Sequence, residues 1–520
     1  MNESRSAQGE AEAGRRYEGQ SPSSSVDQVW AAVDAAREIA PKWRERSFDA
    51  RVRLLRQIRH EITDSIPRLI DAICRDTGKV RLEALMADIY PTLDILRYYE
   101  RNLEVVLRPE RRSSPFNPFW SAWVEYYPMG VVAVIAPWNY PFQLAVVPAI
   151  TALAAGNAVV LKPSEITPRV GDEIDALFSR VSDLEEGQVQ IVRGAAEVGR
   201  TLVETSPDLI FFTGSQETGR KIMEAAARNI TPLILELSGK DPFLVLEDAD
   251  LERAAAAAVY ASFANTGQIC VSAERIYVHE SVIGTFLQLA KEETARLRVN
   301  RGPEGDIGPL TPEGAGGRIR AQIRDAVNKG ARIVAGEGDH DNGRPFGDRE
   351  MSPHILADVH HGMTVMTEET FGPVMPVMAF SDDEEAIALA NDSQYGLGAS
   401  VWTRDLRRGH RMAARLRVGS CGVNEVVRNV GVPDLPFGGV GGSGLGRYHG
   451  PEGLRSFSNT KSVVIHRPTK KREINWFPSP PGVYHDLVRY LQLRFGKLPY
   501  WDKLGILVDL VRDQFGRRGD

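Results

Sequence analysis

The sequence predicts an α/β protein of two or three packed domains. Its 520 residues are too many for one ordinary hydrophobic core. From Val131 onward, short β-rich runs alternate with helix-like segments, the pattern of a parallel sheet covered by helices. Before that point the texture is helical alone, which sets the opening apart as its own layer.

Taken in order, residues 1–25 (MNESRSAQGEAEAGRRYEGQSPSSS) are polar throughout and read as a disordered arm, lacking the apolar stretch of a secretory signal. From Val26 to Leu107, apolar residues recur three and four apart, as in VRLLRQIRHEI and IPRLIDAIC, so helices are expected. Strands follow at VVAVIAPW (131–138), AVVLKPS (158–164), VQIVRG (189–194), LIFFTGS (209–215) and LILELSG (233–239). Their βα turns carry Gly, Ser, Thr and Pro, which bring backbone close to a phosphate or cap a helix. Residues 26–238 therefore read as a Rossmann-like cofactor domain, interrupted by a bridging segment at about 108–127. A second α/β region, 239–437, has candidate strands in ERIYVHE, ARIVAG, VMPVMAF and ASVWT. The segment PFGGVGGSGLGRYHGPEG (436–453) is too glycine-rich for helix or strand and reads as a long loop.

Composition narrows the function classes. Hydrophobic residues at 42% and charged residues at 25% are ordinary for a soluble globular chain. A formal net charge of −6, with no strongly basic domain, argues against nucleic-acid binding. Cys74, Cys270 and Cys421 are far apart, so neither a disulfide framework nor a zinc cluster is expected, and a reducing, cytoplasmic setting fits best. The histidines show no metal-ligand spacing, and no apolar run is long enough to span a bilayer.

Three residues stand out chemically. Cys270 follows Asn265, Thr266, Gly267 and Gln268 and precedes a β-branched strand, which puts its thiol at a loop-to-strand edge suited to a nucleophile. Taken alone it would read as a small buried hydrophobe. Glu236 lies in an apolar strand, where an unpaired carboxylate is expensive to bury. It is either half of a structural ion pair or a base of raised pKa. Asn139 follows the strand VVAVIA at its C-terminal end, where ligands bind in open α/β sheets and an amide can donate to an oxyanion. Its alternative is a plain turn residue.

With APWNYP, LKPSE, FFTGS and Gly219, LELSGKDP, GQIC, EETFGPV, NDSQYGLGASVWT and LPFGGVGGSG in order over residues 26–464, the chain strongly resembles the aldehyde dehydrogenase superfamily. Two small residues depart from the family pattern, Ser238 in the glutamate motif and Ser272 after the cysteine. The resemblance implies the aldehyde dehydrogenase fold: a Rossmann-like cofactor domain, an α/β catalytic domain and a small oligomerisation element, with 438–464 returning to the first domain and ending in the oligomerisation strand. It implies that Cys270 attacks the aldehyde, that the oxyanion is held by Asn139 and the Cys270 N–H, and that Glu236 activates water to hydrolyse a thioester. The glutamate favours free acid, not transfer to coenzyme A. The resemblance further assigns Lys162 and Glu165 to the adenosine ribose and Ser215 to the pyrophosphate. Gly194, Gly214 and Gly219 shape the βα turns, while Glu369 and Phe371, with Ile135 and Trp138, lie along the dinucleotide. Glu165 should hydrogen-bond a free ribose 2′-OH and repel a 2′-phosphate, which favours NAD, although NADP is possible. No metal is implied.

The segment after Asn139, YPFQLAVVPAI, lines the aldehyde tunnel in the family, and Tyr140, Leu144 and Val147 would make it apolar. It has no arginine to hold a distal carboxylate; Arg428 is the nearest candidate. A hydrophobic aliphatic or aromatic aldehyde is expected, with a semialdehyde or a non-catalytic dinucleotide-binding role as alternatives. A homodimer or homotetramer is expected. Residues 465–520 contain two candidate amphipathic helices, 484–495 and 501–515, and carry eleven Lys or Arg against six Asp or Glu. This extension reads as a docking element for a neighbouring subunit or, through peripheral contact, an anionic membrane.

Overall fold

A computed structural model describes residues 22–113, 120–336, 340–341, 344–345, 347–466, 476–479, 481–497 and 499–516. Most of the arm expected over 1–25 lies outside these residues; at its end, Ser24 N–H donates to the Arg193 carbonyl at 2.8 Å. Ser25 caps the first helix, Val26–Arg44, in a reciprocal capping box with Gln28. The chain forms two compact units, one of residues 1–109 and 125–461, the other of 110–124 and 462–520.

In the first unit the opening layer is helical, as its apolar period requires. Phe48–Thr77 buries Leu54, Leu55, Ile58, Ile62, Leu69 and Ile73 on one stripe, and Gly78 closes it in the left-handed conformation. Tyr90–Leu107 packs beside it. Between them the chain winds through a π-helical turn, Ala84–Ile89, which periodicity did not foretell.

A six-stranded sheet follows. Its order is Gly444–Leu445, Leu233–Glu236, Leu209–Thr213, Val131–Ile135, Ala158–Lys162 and Val189–Ile191. The last five are mutually parallel, and the largely apolar runs of the three inner ones, Leu209–Thr213, Val131–Ile135 and Ala158–Lys162, reflect burial on both faces. The chain proceeds outward from Val131–Ile135 in one direction, then returns to its other side with Leu209–Thr213. This reversal opens a crevice beyond the C-terminal ends of those two strands. Asn139 lies just after the first of them, Gly214 and Ser215 just after the second.

The second sheet has seven strands in the order Arg332–Ala335, His354–Ala357, Val374–Phe380, Ala273–His279, Asp241–Val245, Gly398–Trp402 and Ser420–Val423. All neighbours are parallel except the first pair. Asp241–Val245, His354–Ala357 and Ser420–Val423 carry no clear alternation, and the sequence did not single them out. Only four residues, Leu237 to Lys240, link the two sheets.

The segment 436–453, expected to be a loop throughout, is partly regular. Gly444–Leu445 pairs antiparallel with Leu235–Glu236, and Gly450–Ser456 is helical. Gly444 has φ +140°, and a Cβ there would meet the Leu235 carbonyl at 2.1 Å, so glycine is what allows this edge pairing.

The second unit holds, wholly or in part, the strands of a three-stranded sheet, Glu110–Arg112, Trp120–Pro128 and Ser458–His466. It also contains the helices Val483–Phe495 and Tyr500–Gly516, close to the expected spans. Tyr484, Phe495 and Trp501 are exposed to 70% or more.

Candidate active site

The structure brings Cys270, Glu236 and Asn139 together at the crevice of the first sheet. Glu236 ends its strand, held between Thr213 and Gly444. It is 1% exposed, and its Oε1 has no hydrogen-bond partner among the described residues. The half-buried Cys270 thiol is within its hydrogen-bonding reach. Burial, more than the nearby charges of Glu369 and Asp241, pushes the Glu236 carboxyl up to about 8. Burial, and then the Glu236 charge, pushes the Cys270 thiol well above its usual value. The resting pair is therefore a thiol beside a carboxyl that titrates near neutral pH.

The backbone of this cluster is drawn in tightly. Gly239 has no side chain because a Cβ there would sit 2.1 Å from the Cys270 carbonyl. Its N–H donates to Glu369 Oε1 at 3.0 Å. Asn139 is buried, and its Nδ2 donates to the Gln268 carbonyl, two residues before the cysteine, at 3.2 Å. Asn265 Nδ2 donates to both the Asn139 and Gln268 carbonyls. Asn265 and Thr266 pay for this compact turn with positive φ values of 46° and 59°.

The other expected residues line the same edge. Ile135 ends its strand between Lys162 and Phe212. Lys162, 4% exposed, donates to the exposed Glu165 at 3.1 Å. Gly194 follows the outermost strand at φ +139°, and Gly214 N–H donates to the Glu236 carbonyl at 3.0 Å. Ser215 caps the helix Gln216–Ala227, accepting from Thr218 N–H, while Gly219 in the first turn packs against Leu237. The rings of Trp138 and Phe371 meet edge to face at 5.6 Å. A helix N-terminus beside glycine turns fits a pyrophosphate, and the Lys162–Glu165 pair offers a donor and an acceptor for a ribose. Among the described residues no cluster could hold a metal, and no helix is long and apolar enough to cross a membrane.

Sequence reasoning missed the supports of this edge. Lys240 Nζ, fully buried, donates to Glu274 and, at 3.0 Å, to Thr370 Oγ1. Glu274 in turn accepts from the Thr370 and Phe371 N–H groups at 2.7 and 2.9 Å. This buried pair holds Phe371 at φ +50°. The adjacency of Lys240 to LELSG and of Glu274 to GQIC was the available signal, but nothing in the sequence pairs the two. Tyr140, expected in an apolar lining, instead turns its hydroxyl to Glu83 Oε1 at 2.8 Å. Val147 is fully buried.

The model of the "Aldehyde dehydrogenase family" matches residues 9–463. A 4,4'-diapolycopene aldehyde oxidase of Methylomonas sp is 45% identical over 485 residues, 93% of this chain and 90% of that protein. A Mycobacterium tuberculosis protein with the provisional name of an NADP(+)-type succinate-semialdehyde dehydrogenase is 35% identical over 451 residues, 86% of each chain. The crystal structure of a Mycobacterium tuberculosis aldehyde dehydrogenase complexed with NAD+ superposes with a TM-score of 0.80 at 32% identity, covering 87% of this chain and 92% of that one. The chain belongs to the aldehyde dehydrogenase family and has its fold. It is an enzyme that oxidises aldehydes, in a family that depends on NAD(P).

The burial of Glu236 has a consequence for stability. Its ordinary value is 4.5 and its folded value about 8, so between these pH values the unfolded chain loses a proton that the folded chain keeps. The stability this contributes is complete below pH 4.5 and is lost as pH rises through 8, an effect on the order of a few kcal/mol. Glu236→Gln escapes that loss, so its melting temperature relative to wild type should climb from pH 5 to pH 9. A difference that stays flat with pH would show that Glu236 ionises normally.

Proposed function

We propose that the chain oxidises a hydrophobic aldehyde to its carboxylic acid with NAD, through a thioester on Cys270. The observation that carries this reading is the buried Glu236 carboxyl, which titrates near neutral pH, faces the Cys270 thiol and has an oxygen left for a water.

The sulfur of Cys270 bonds to the aldehyde carbon as its proton leaves. That proton passes to solvent as the bond forms, because the high resting value of the thiol means a thiolate is not stored. The Asn139 amide and the Cys270 N–H then hydrogen-bond the oxygen that becomes negative. The bound dinucleotide supplies the hydride acceptor. Lys162, Glu165, Ser215, Glu369 and Phe371, with Ile135, Trp138 and the glycine turns at 194, 214 and 219, would hold it against the thiol. In the second half, Glu236 takes a proton from water, the water oxygen attacks the thioester carbon, and the acid departs as the sulfur regains its proton. The exposed Glu165 supports NAD over NADP by charge repulsion of a 2′-phosphate.

The apolar character of the helix Gln143–Ala155, which carries no charged residue, supports a hydrophobic substrate. The relative named for a 4,4'-diapolycopene aldehyde supports it further, since it aligns over 93% of this chain. The semialdehyde reading draws on the mycobacterial relative and would require Arg428 as its cation. A cytoplasmic homo-oligomer completes the proposal. Its C-terminal extension would dock on a neighbouring subunit, because the extension is basic while the rest of the chain is acidic.

Cys270→Ala should abolish oxidation and leave NAD binding nearly intact. Glu236→Gln should release about one NADH per site in a burst and then turn over at least about 100-fold more slowly than wild type. Unchanged steady turnover in either variant would remove that residue from the mechanism. An aldehyde panel graded by chain length and terminal charge decides the substrate class; a preference for terminal carboxylates would replace the hydrophobic reading.

Glu165→Ala should narrow the kcat/KM preference for NAD over NADP by about tenfold, equivalent to about 1.4 kcal/mol. An unaltered ratio would show that Glu165 does not select the cofactor.

Deleting residues 466–520 should lower the oligomer mass measured by light scattering, or the melting temperature, while Cys270 remains reactive. If both are unchanged and only the full chain sediments with anionic liposomes, the extension is a membrane anchor instead.

A further inference from the structure

A buried ion pair that the mechanism does not use lies directly behind the Asn139 loop. Lys79 is 3% exposed and Asp88 fully buried. Lys79 Nζ donates to Asp88 Oδ2 at 2.9 Å and to the backbone carbonyl of Asn139 at 2.7 Å, and it lies 4.0 Å from the centre of the Tyr140 ring. All the bonding capacity of the ammonium is thereby directed at three neighbours. Asp88 Oδ1 accepts from the N–H groups of Phe142 and Gln143 at 3.1 and 3.2 Å. One ion pair therefore grips the turn at two points, the carbonyl of the Asn139–Tyr140 peptide and the amides of Phe142 and Gln143.

The turn needs such a grip. Residues 136–142 belong to neither strand nor helix, and Pro137 and Pro141 remove two backbone donors from it. The elements that deliver the pair are equally specific. Lys79 follows the left-handed Gly78 that ends one helix, and Asp88 projects from the π-helical turn Ala84–Ile89. A buried ion pair adds little net stability over apolar packing, so its use here is better explained by the geometry it imposes.

We propose that Lys79 and Asp88 are positioning residues that set the side-chain amide of Asn139 for the oxyanion. The proposal rests on the reading of Asn139 as an oxyanion donor. Lys79 holds the Asn139 carbonyl together with Asn265 Nδ2, and the amide then projects toward the Gln268–Cys270 backbone. A displacement of about 1 Å at such a donor is worth on the order of 100-fold in rate.

Two reactions of the same thiol separate positioning from simple structural damage. Attack on an aldehyde places negative charge on an oxygen; alkylation by iodoacetamide forms a C–S bond and expels iodide without an oxyanion. Full-length Lys79→Met, Asp88→Asn, Asn139→Ala and the Lys79→Met/Asn139→Ala double variant are compared. The readouts are the NADH burst rate with hexanal and the rate of Cys270 alkylation followed by intact mass. Lys79→Met is expected to slow the burst by about 100-fold and Asp88→Asn by at least about tenfold, with alkylation within about threefold of wild type. In the Asn139→Ala background, Lys79→Met should slow the burst by no more than about threefold further, because the group through which it acts is gone. Asp88→Asn, nearly isosteric, carries the test if Lys79→Met does not fold. The proposal is overturned if burst rates stay within about threefold of wild type, if alkylation falls in step with the burst, or if the Lys79 and Asn139 effects multiply. An Asn139→Ala burst at the wild-type rate would remove the donor role of Asn139, and the proposal with it; slow bursts in Asn139→Ala alone would leave that role standing and remove only Lys79 and Asp88.

Discussion

The approach of the Cys270 backbone to Gly239 is the contact on which the rest of the site depends. The link Leu237–Lys240 carries the chain from one sheet to the other, and at Gly239 there is no room for a Cβ beside the Cys270 carbonyl. Because this link is short, Glu236 at the end of one sheet and Cys270 in the turn before the strand Ala273–His279 of the other are brought into the same small volume. The Gly239 N–H also anchors Glu369, so the same peptide positions a third edge of the cleft.

Around that contact the protein uses buried charge to hold backbone. Lys79 with Asp88 and Lys240 with Glu274 are both nearly inaccessible pairs, and each spends its remaining bonding capacity on a loop at the crevice. Arg275 follows the same pattern, donating to the carbonyls of Lys240, Leu389 and Ala390. Loops at the C-terminal edge of a parallel sheet lack a ladder to fix their peptides, and side-chain ions in a low-dielectric interior supply directional bonds in its place. Glu236 departs from this pattern: among the described residues it has no ion-pair partner, and burial pushes its carboxyl up to about 8, as it does that of Asp241 nearby.

Much of this was legible in the sequence, for reasons that differ by element. The helical layer from Val26 to Leu107 and the strands of the first sheet announce themselves through period and continuous β-branched runs. Cys270, Glu236 and Asn139 could be singled out because each is chemically out of place where it stands: a thiol at a loop edge, a carboxylate in an apolar strand, an amide at a strand end. The return strand at Gly444–Leu445 was not legible, since a two-residue edge pairing in a glycine-rich segment leaves no periodic trace. Strands such as Ser420–Val423 and His354–Ala357 are too short for alternation to register. Tyr140 shows the limit most clearly: the family resemblance implies that it helps make the lining apolar, and only the fold brings Glu83 to its hydroxyl.

What the sequence determined by itself was the family, the order of most elements and the candidate reacting groups, because those are carried by local pattern and by motifs whose residues are close together along the chain. What only the tertiary structure decided was which distant residues hold those groups in place. Lys79 meets Asn139 across 60 positions and Lys240 meets Thr370 across 130. Such pairings leave no local signature, because any buried lysine requires some acceptor and the sequence does not say which; the packing of the layers chooses it.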